Sequence, residues 1–170
     1  VVKAEPFLEI PARLHFMGRS QEEVLVGLPP GAGLKKLWST TGHRLELPDE
    51  GLLISYTTSR KLGARVGDTV EVETLLGLGP SRRRSLRIAG INREFVGGTS
   101  YIALEQANRV LQENRLISGA MLKVDPDRAE AVEEQLNKMT GISSILGRQK
   151  ELEKFNARLG YMFFFIAVMV

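Results

Sequence analysis

The chain has 170 residues, 43% hydrophobic and 25% charged, the composition of an ordinary globular domain rather than a disordered one. A formal charge of +3 and a pI near 9.3 are too mild to indicate nucleic acid, which calls for a clustered basic face with aromatics placed to stack on bases. Cysteine is absent, so disulfide scaffolds, cysteine-based zinc sites and thiol chemistry are excluded together.

Residues 1–14 mix β-branched and aromatic side chains with Pro6 and Pro11, which predicts an edge strand or two short extended pieces. Residues 23–28 predict a short strand, closed by the turn signal Pro29-Pro30-Gly31. One helical turn over 33–38 and an extended return over 42–47 follow, with Trp38 read as a packing residue under the loop rather than a ligand contact. Pro48, Asp49 and Gly51 then make a turn into a buried strand over 52–54. Ser55 is placed to cap a short helix over 56–62 that Gly63 ends.

Val70 and Val72 alternate with Glu71 and Glu73, the pattern of a half-buried strand, and residues 85–91 supply its partner with Leu86 and Ile88 facing inward. The hairpin tip between them ends in Arg82, Arg83 and Arg84, followed by Arg87. These arginines could contact lipid phosphates or an acidic partner, the alternative being a solvated turn kept soluble by its charge. A strand over 99–103 leads into a helix over 104–113 with Ala107, Val110 and Leu111 on its apolar face. Residues 120–124 form the next strand. Asp125 and Pro126 open a helix carrying Ala129, Val132, Leu136 and Met139 at helical spacing, Gly141 ends it, and 142–146 predict a further strand. Residues 119–146 therefore read as a β-α-β unit.

Helical periodicity resumes at 147–160, with Leu152, Phe155 and Leu159 in line and Lys150, Lys154 and Arg158 on another face. The apolar stripe continues into Met162 and Ile166, so 148–170 is expected to be one helix entering the bilayer through Leu159, Tyr161, Met162, Phe163, Phe164, Phe165 and Ile166. A spanning helix needs about 20 apolar residues and this run supplies about half, which reads as a truncated transmembrane segment; a buried C-terminal core helix is the alternative.

Few residues suggest chemistry. His15 and His43 lack neighbours at metal-ligand spacing and read as surface or packing residues, and Asp49-Glu50 is better explained by its turn than by acid/base work. No Walker-type phosphate loop is present and Ser39, Ser55 and Ser59 lie in no nucleophile frame, so no catalytic, cofactor or metal residues are assigned.

Three segments in order carry a family resemblance: Leu47-Pro48-Asp49-Glu50-Gly51-Leu52-Leu53-Ile54-Ser55, then Lys61-Leu62-Gly63-Ala64-Arg65-Val66-Gly67-Asp68-Thr69-Val70-Glu71-Val72, then Leu86-Arg87-Ile88-Ala89-Gly90-Ile91. In this order they resemble the extracytoplasmic (MacB-like periplasmic core) domain of FtsX-like ABC transporter permeases. The resemblance implies an α+β fold: a β-α-β-containing, membrane-proximal subdomain over about 1–46 and 92–146, a smaller β-rich one over about 47–91, and a helix over 147–170 entering the membrane. It implies an extracytoplasmic domain, 1–146, of a protein of the bacterial inner (cytoplasmic) membrane. Its implied partners are a cytoplasmic ATP-binding subunit, a second permease copy or second half of the same chain, the membrane and an envelope protein, and no nucleic acid. The implied function is to bind substrate or a partner and couple ATP hydrolysis to extracytoplasmic motion, without enzymatic activity in this domain. A membrane-anchored regulatory domain that controls an envelope partner without transport is the other reading.

Overall fold

The computed structural model describes residues 1–75, 81–93 and 98–147. The chain divides into two units, Val1–Lys123 and Val124–Val170. In the first, β1 (Lys3–Phe16) and β2 (Arg19–Leu28) form a long hairpin, and β3 (Leu37–Trp38) and β4 (Arg44–Leu45) a small one. β5 (Leu52–Ser55) runs into α1 (Tyr56–Leu62); β6 (Thr69–Thr74) and β7 (Arg83–Asn92) follow; β8 (Thr99–Ala103) runs into α2 (Leu104–Leu111), and β9 (Gly119–Lys123) ends the unit.

The strands close on themselves. β2 lies parallel to β8, β8 meets β5 antiparallel at Tyr101 and Leu53, β5 lies parallel to β7, β7 antiparallel to β6, and β6 antiparallel to β1, which is already paired with β2. The result is a mixed barrel of six strands, with β9 added to the first five residues of β1 through Lys3↔Lys123 to Phe7↔Gly119. Closure follows from the period of two along each strand. Leu8, Ile10, Ala12 and Leu14 of β1, Val70 and Val72 of β6, and Leu86 and Ile88 of β7 all turn inward and are buried in one cluster with Leu52, Ile54 and Ile102.

Because β5 and β8 run antiparallel, the helices that follow them leave at opposite ends of the barrel, and Leu62 from α1 and Ala107, Val110 and Leu111 from α2 join the same cluster. Local chemistry fixes α1: Ser55 Oγ accepts the Thr58 N–H at 3.1 Å, and Gly63, at φ 76°, donates its N–H to the Ser59 carbonyl at 2.8 Å. A second cluster lies on the outer wall, where Val26, Leu28, Leu53 and Tyr101 are covered by Leu37, Leu45 and Leu47. Glu5 holds that cover down. Its buried carboxylate accepts the N–H groups of Gly33 at 2.8 Å and Leu34 at 2.9 Å and pairs with Lys3.

The expected α+β architecture, with separate β-α-β-containing and β-rich subdomains, is therefore wrong. Strands from 3–28 and 99–103 share one barrel with strands from 52–92, and the fold is mainly strand. The β-α-β unit fails at its last member: the second unit carries a 3₁₀ turn (Pro126–Arg128) and α3 (Ala129–Asn137), but 142–147 form no strand. Ile142, Ile145 and Leu146 are too short an apolar run to specify one. The expected helix entering the membrane is no part of the described fold. Residues 148–170, and with them Leu159, Tyr161, Met162, Phe163, Phe164, Phe165 and Ile166, lie outside the described residues, and no described helix is long and apolar enough to cross a membrane.

Residues 1–14 also differ from expectation, forming neither an edge strand nor two pieces. β1 is one strand with neighbours on both sides, and it tolerates Pro11 because that residue stands where the β6 ladder ends. The Pro11 carbonyl still accepts the Leu75 N–H at 2.8 Å, so its missing N–H would have faced the end of that ladder. Trp38, expected to pack under its loop, is 45% exposed.

Candidate functional site

Three polar features stand out on the barrel, each placed by strand register. The first is a row of charge on the outer face across four neighbouring strands, β2, β1, β6 and β7. Arg13 faces Glu22 on one side and Glu73 on the other in the pairing register, and Glu73 faces Arg83. Arg13 pairs with Glu22 and approaches Glu73 at 3.9 Å; Arg83 reaches Glu71 at 3.0 Å and Glu73 at 3.3 Å. His15 Nε2 lies 2.8 Å from the Glu73 carboxylate. That contact is the main reason the Glu73 carboxyl is held below its ordinary value; partial burial works against it, and Arg83 reinforces it. Arg13 is held above its ordinary value by Glu22.

The second feature is a polar node at the end of the barrel where β5 meets α1. Glu23 lies on the same face of β2 as the buried Leu25 and so continues the inward row to the rim. Its carboxylate accepts from the hydroxyls of Thr58 at 2.6 Å, Ser55 at 3.1 Å and Ser100. One side chain thereby ties together β2, β8 and the start of α1. Beside it Asn92 of β7, 1% exposed, donates from Nδ2 to the carbonyls of Leu53 at 3.1 Å and Thr99 at 3.0 Å, while its Oδ1 is buried without a partner among the described residues.

The third feature is a groove between β7 and α2. A depression of about 490 Å³ is lined by Arg84, Ser85 and Leu86 on one side and Gln106, Arg109 and Val110 on the other. A second, of about 550 Å³, shares Glu50, Ser85, Leu86 and Gln106 with it and extends past Arg87 and Gly67. Gln106 Oε1 accepts the Gly51 N–H at 3.1 Å, which fixes the start of β5 to α2 at the groove's edge, and Glu50 lies 3.9 Å from Arg109. Glu5, described above, has a carboxyl on which burial is the largest influence and acts upward; Lys3 and the two backbone N–H groups together outweigh it and hold the value low. Among the described residues no three His, Asp or Glu side chains gather as metal ligands would.

No family model and no curated protein matches the chain. Its fold is that of a solved structure. The similar structure is described as the extracellular domain of the noncanonic ABC-type transporter YknZ from Gram-positive bacteria, with a TM-score of 0.58 over 77% of this chain and 70% of that chain. Sequence identity between the two is 14%, so the likeness establishes the fold alone.

The three arginines of the run are placed differently. Arg82 closes the hairpin, its N–H donating to Thr74 Oγ1 at 3.0 Å and its carbonyl accepting from the Thr74 N–H at 2.8 Å. Arg83 belongs to the outer charge row, and Arg84, one residue on, turns to the other face and lines the groove. His15 likewise belongs to the charge row, while His43 stays in its own turn, with Nδ1 3.0 Å from Thr41 Oγ1. Sequence reasoning missed Glu23, Gln106 and Asn92. For Glu23 a signal existed, since it shares the two-residue period of Leu25; Gln106 and Asn92 act on residues far away in sequence and carry no local signal.

Proposed function

We propose that this chain is an extracytoplasmic domain of an ABC transporter permease of the FtsX-like, MacB-like type. In this reading the domain has no catalytic role. It binds a substrate or an envelope partner, and its motion is coupled to ATP hydrolysis by a separate cytoplasmic subunit, with a second permease copy or half completing the transporter. The observation that carries the reading is the likeness in fold to an extracellular domain of an ABC-type transporter. The ordered motifs support it: they occupy β5, the turn from α1 into β6, and β7, which are consecutive staves of the barrel wall with their connections.

The test exploits the absence of cysteine. Met17 stands at the tip of the β1–β2 hairpin, 88% exposed, and Met17→Cys adds to this cysteine-free stretch one reactive thiol at a site that no core residue covers, its labelling read against that of the unchanged protein. In intact cells producing the membrane protein that contains this chain, a membrane-impermeant maleimide should label the variant without lysis. Labelling only after lysis would overturn the extracytoplasmic placement. An ATP-binding subunit should also co-isolate with the protein from solubilised membranes. External labelling without that subunit would replace the transporter reading with the membrane-anchored regulatory one.

A further inference from the structure

Strand β7 has ten residues, but its neighbour β5 has four and begins only opposite Ile88. The turn through Pro48, Asp49 and Gly51 delays β5, and Gly51 is held at φ 100° with its α-carbon so close to β7 that an added Cβ would lie 3.0 Å from the Arg87 carbonyl. Among the described residues, the first half of β7 therefore has β6 on one side and no strand on the other.

Hydrogen bonding shows which groups face that gap. The Arg82 carbonyl bonds the Thr74 N–H, and the Ile88 N–H and carbonyl bond Asp68 and Gly67, each at 2.8 Å. Since backbone groups alternate sides along a strand, residues 82, 84, 86 and 88 address β6, and Arg83, Ser85 and Arg87 turn theirs the other way, the Arg87 carbonyl meeting the start of β5 where Leu52 pairs in parallel with Ile88. Ser85 sits at the middle of this edge, and the groove between β7 and α2 opens directly beside it.

We propose that this edge accepts an extended, acidic segment of a partner protein as an added strand, of about five residues at ~3.3 Å each. The acidic preference comes from Arg87, which shares the outer face of β7 with Ser85. Arg87 is exposed and has no ion-pair partner among the described residues, whereas Arg83, on the same face, is engaged by Glu71 and Glu73. Leu86 and Val110 line the groove as an apolar floor. Apolar side chains of the guest would lie on that floor and alternate with carboxylates turned towards Arg87 on the outer face, the pattern that β6 itself presents to β7 in Val70, Glu71, Val72 and Glu73. The inference concerns a property of the barrel and does not depend on the transporter reading.

The test uses the whole 170-residue chain in mild detergent and a fluorescent eight-residue peptide alternating valine and glutamate. Binding should be saturable and weaken with salt. Ser85→Pro removes an N–H that faces the gap and leaves the bonds to β6 in place, so the variant should keep its far-ultraviolet circular dichroism and bind at least about tenfold more weakly. Arg87→Glu should weaken binding of the glutamate peptide and improve that of a valine–lysine counterpart. A peptide methylated at alternate backbone nitrogens should fail to bind the unchanged protein, and this arm decides the matter should Ser85→Pro unfold. The proposal is overturned by equal binding of the methylated peptide, by undiminished binding to a folded Ser85→Pro variant, by indifference to the sign of the peptide's charge, or by no binding at millimolar peptide.

Discussion

Gly27→Ala probes the contact that seats α2 on the barrel. Gly27 lies in β2 between Leu8 and Ile102, and a Cβ there would stand 2.6 Å from the Ala107 Cβ and 3.3 Å from the Leu104 Cα. Carbon atoms rest at about 3.5–4.0 Å, so α2 would have to retreat by roughly 1 Å. That retreat would loosen Ala107, Val110 and Leu111, all of which lie in the main core. Overpacking of this kind costs about 1–3 kcal/mol, and the lost freedom of the unfolded chain returns about 0.4–1 kcal/mol, leaving a net destabilisation of about 1–2 kcal/mol. Urea unfolding followed by far-ultraviolet circular dichroism and by the fluorescence of Trp38, the single tryptophan, measures it. The decisive comparison is a double-mutant cycle with Ala107→Gly, which alone costs about 1 kcal/mol of helix propensity. If the clash is the cause, the double variant should recover at least about 0.5 kcal/mol relative to the sum of the single changes. A neutral or stabilising Gly27→Ala, or strict additivity in the cycle, would refute the reasoning.

Glu5→Gln should lower stability at neutral pH and matter less in acid. The folded Glu5 carboxyl lies below its ordinary 4.5, so its contribution is fully present above that value and is lost as pH falls through the lower folded value; the gap in urea midpoint between the two proteins should close as pH falls below 4.5, and a gap that widens in acid would contradict the assignment. Ser55→Ala removes both the α1 cap and a hydroxyl from Glu23, and should cost about 1–2 kcal/mol by the same unfolding assay. Asn92→Ala leaves the carbonyls of Leu53 and Thr99 without their side-chain donor in a buried site, and should cost about 1–3 kcal/mol, read from thermal unfolding.

What the sequence made legible was whatever neighbouring residues decide. The α1 cap at Ser55 and stop at Gly63, the inward Val70, Val72, Leu86 and Ile88, and the apolar face of α2 each follow from a side chain and the few residues around it. Closure of the barrel depends instead on two parallel pairings, β2 with β8 and β5 with β7, whose partners lie dozens of residues apart and whose local patterns are silent about each other. β1 was obscured for a related reason. Pro6 and Pro11 read as breaks, yet one strand passes through both, and for Pro11 the harmlessness of its missing N–H is visible only once the end of β6 is known.

The same division separates the arginines from the groove. A run of Arg82, Arg83 and Arg84 reads as one patch along the sequence, but a strand sends neighbouring residues to opposite faces: the backbone of the first bonds Thr74, the second joins an ion-pair row and the third lines a groove. The groove owes its position to the shortness of β5, which the Pro48-to-Gly51 turn already implied. Its meaning required β7 to be ten residues long and to be the next stave of a closed wall. A barrel ordinarily removes its own strand edges. Here a four-residue strand set beside a ten-residue one leaves part of an edge open, beside Arg87, which no carboxylate among the described residues engages.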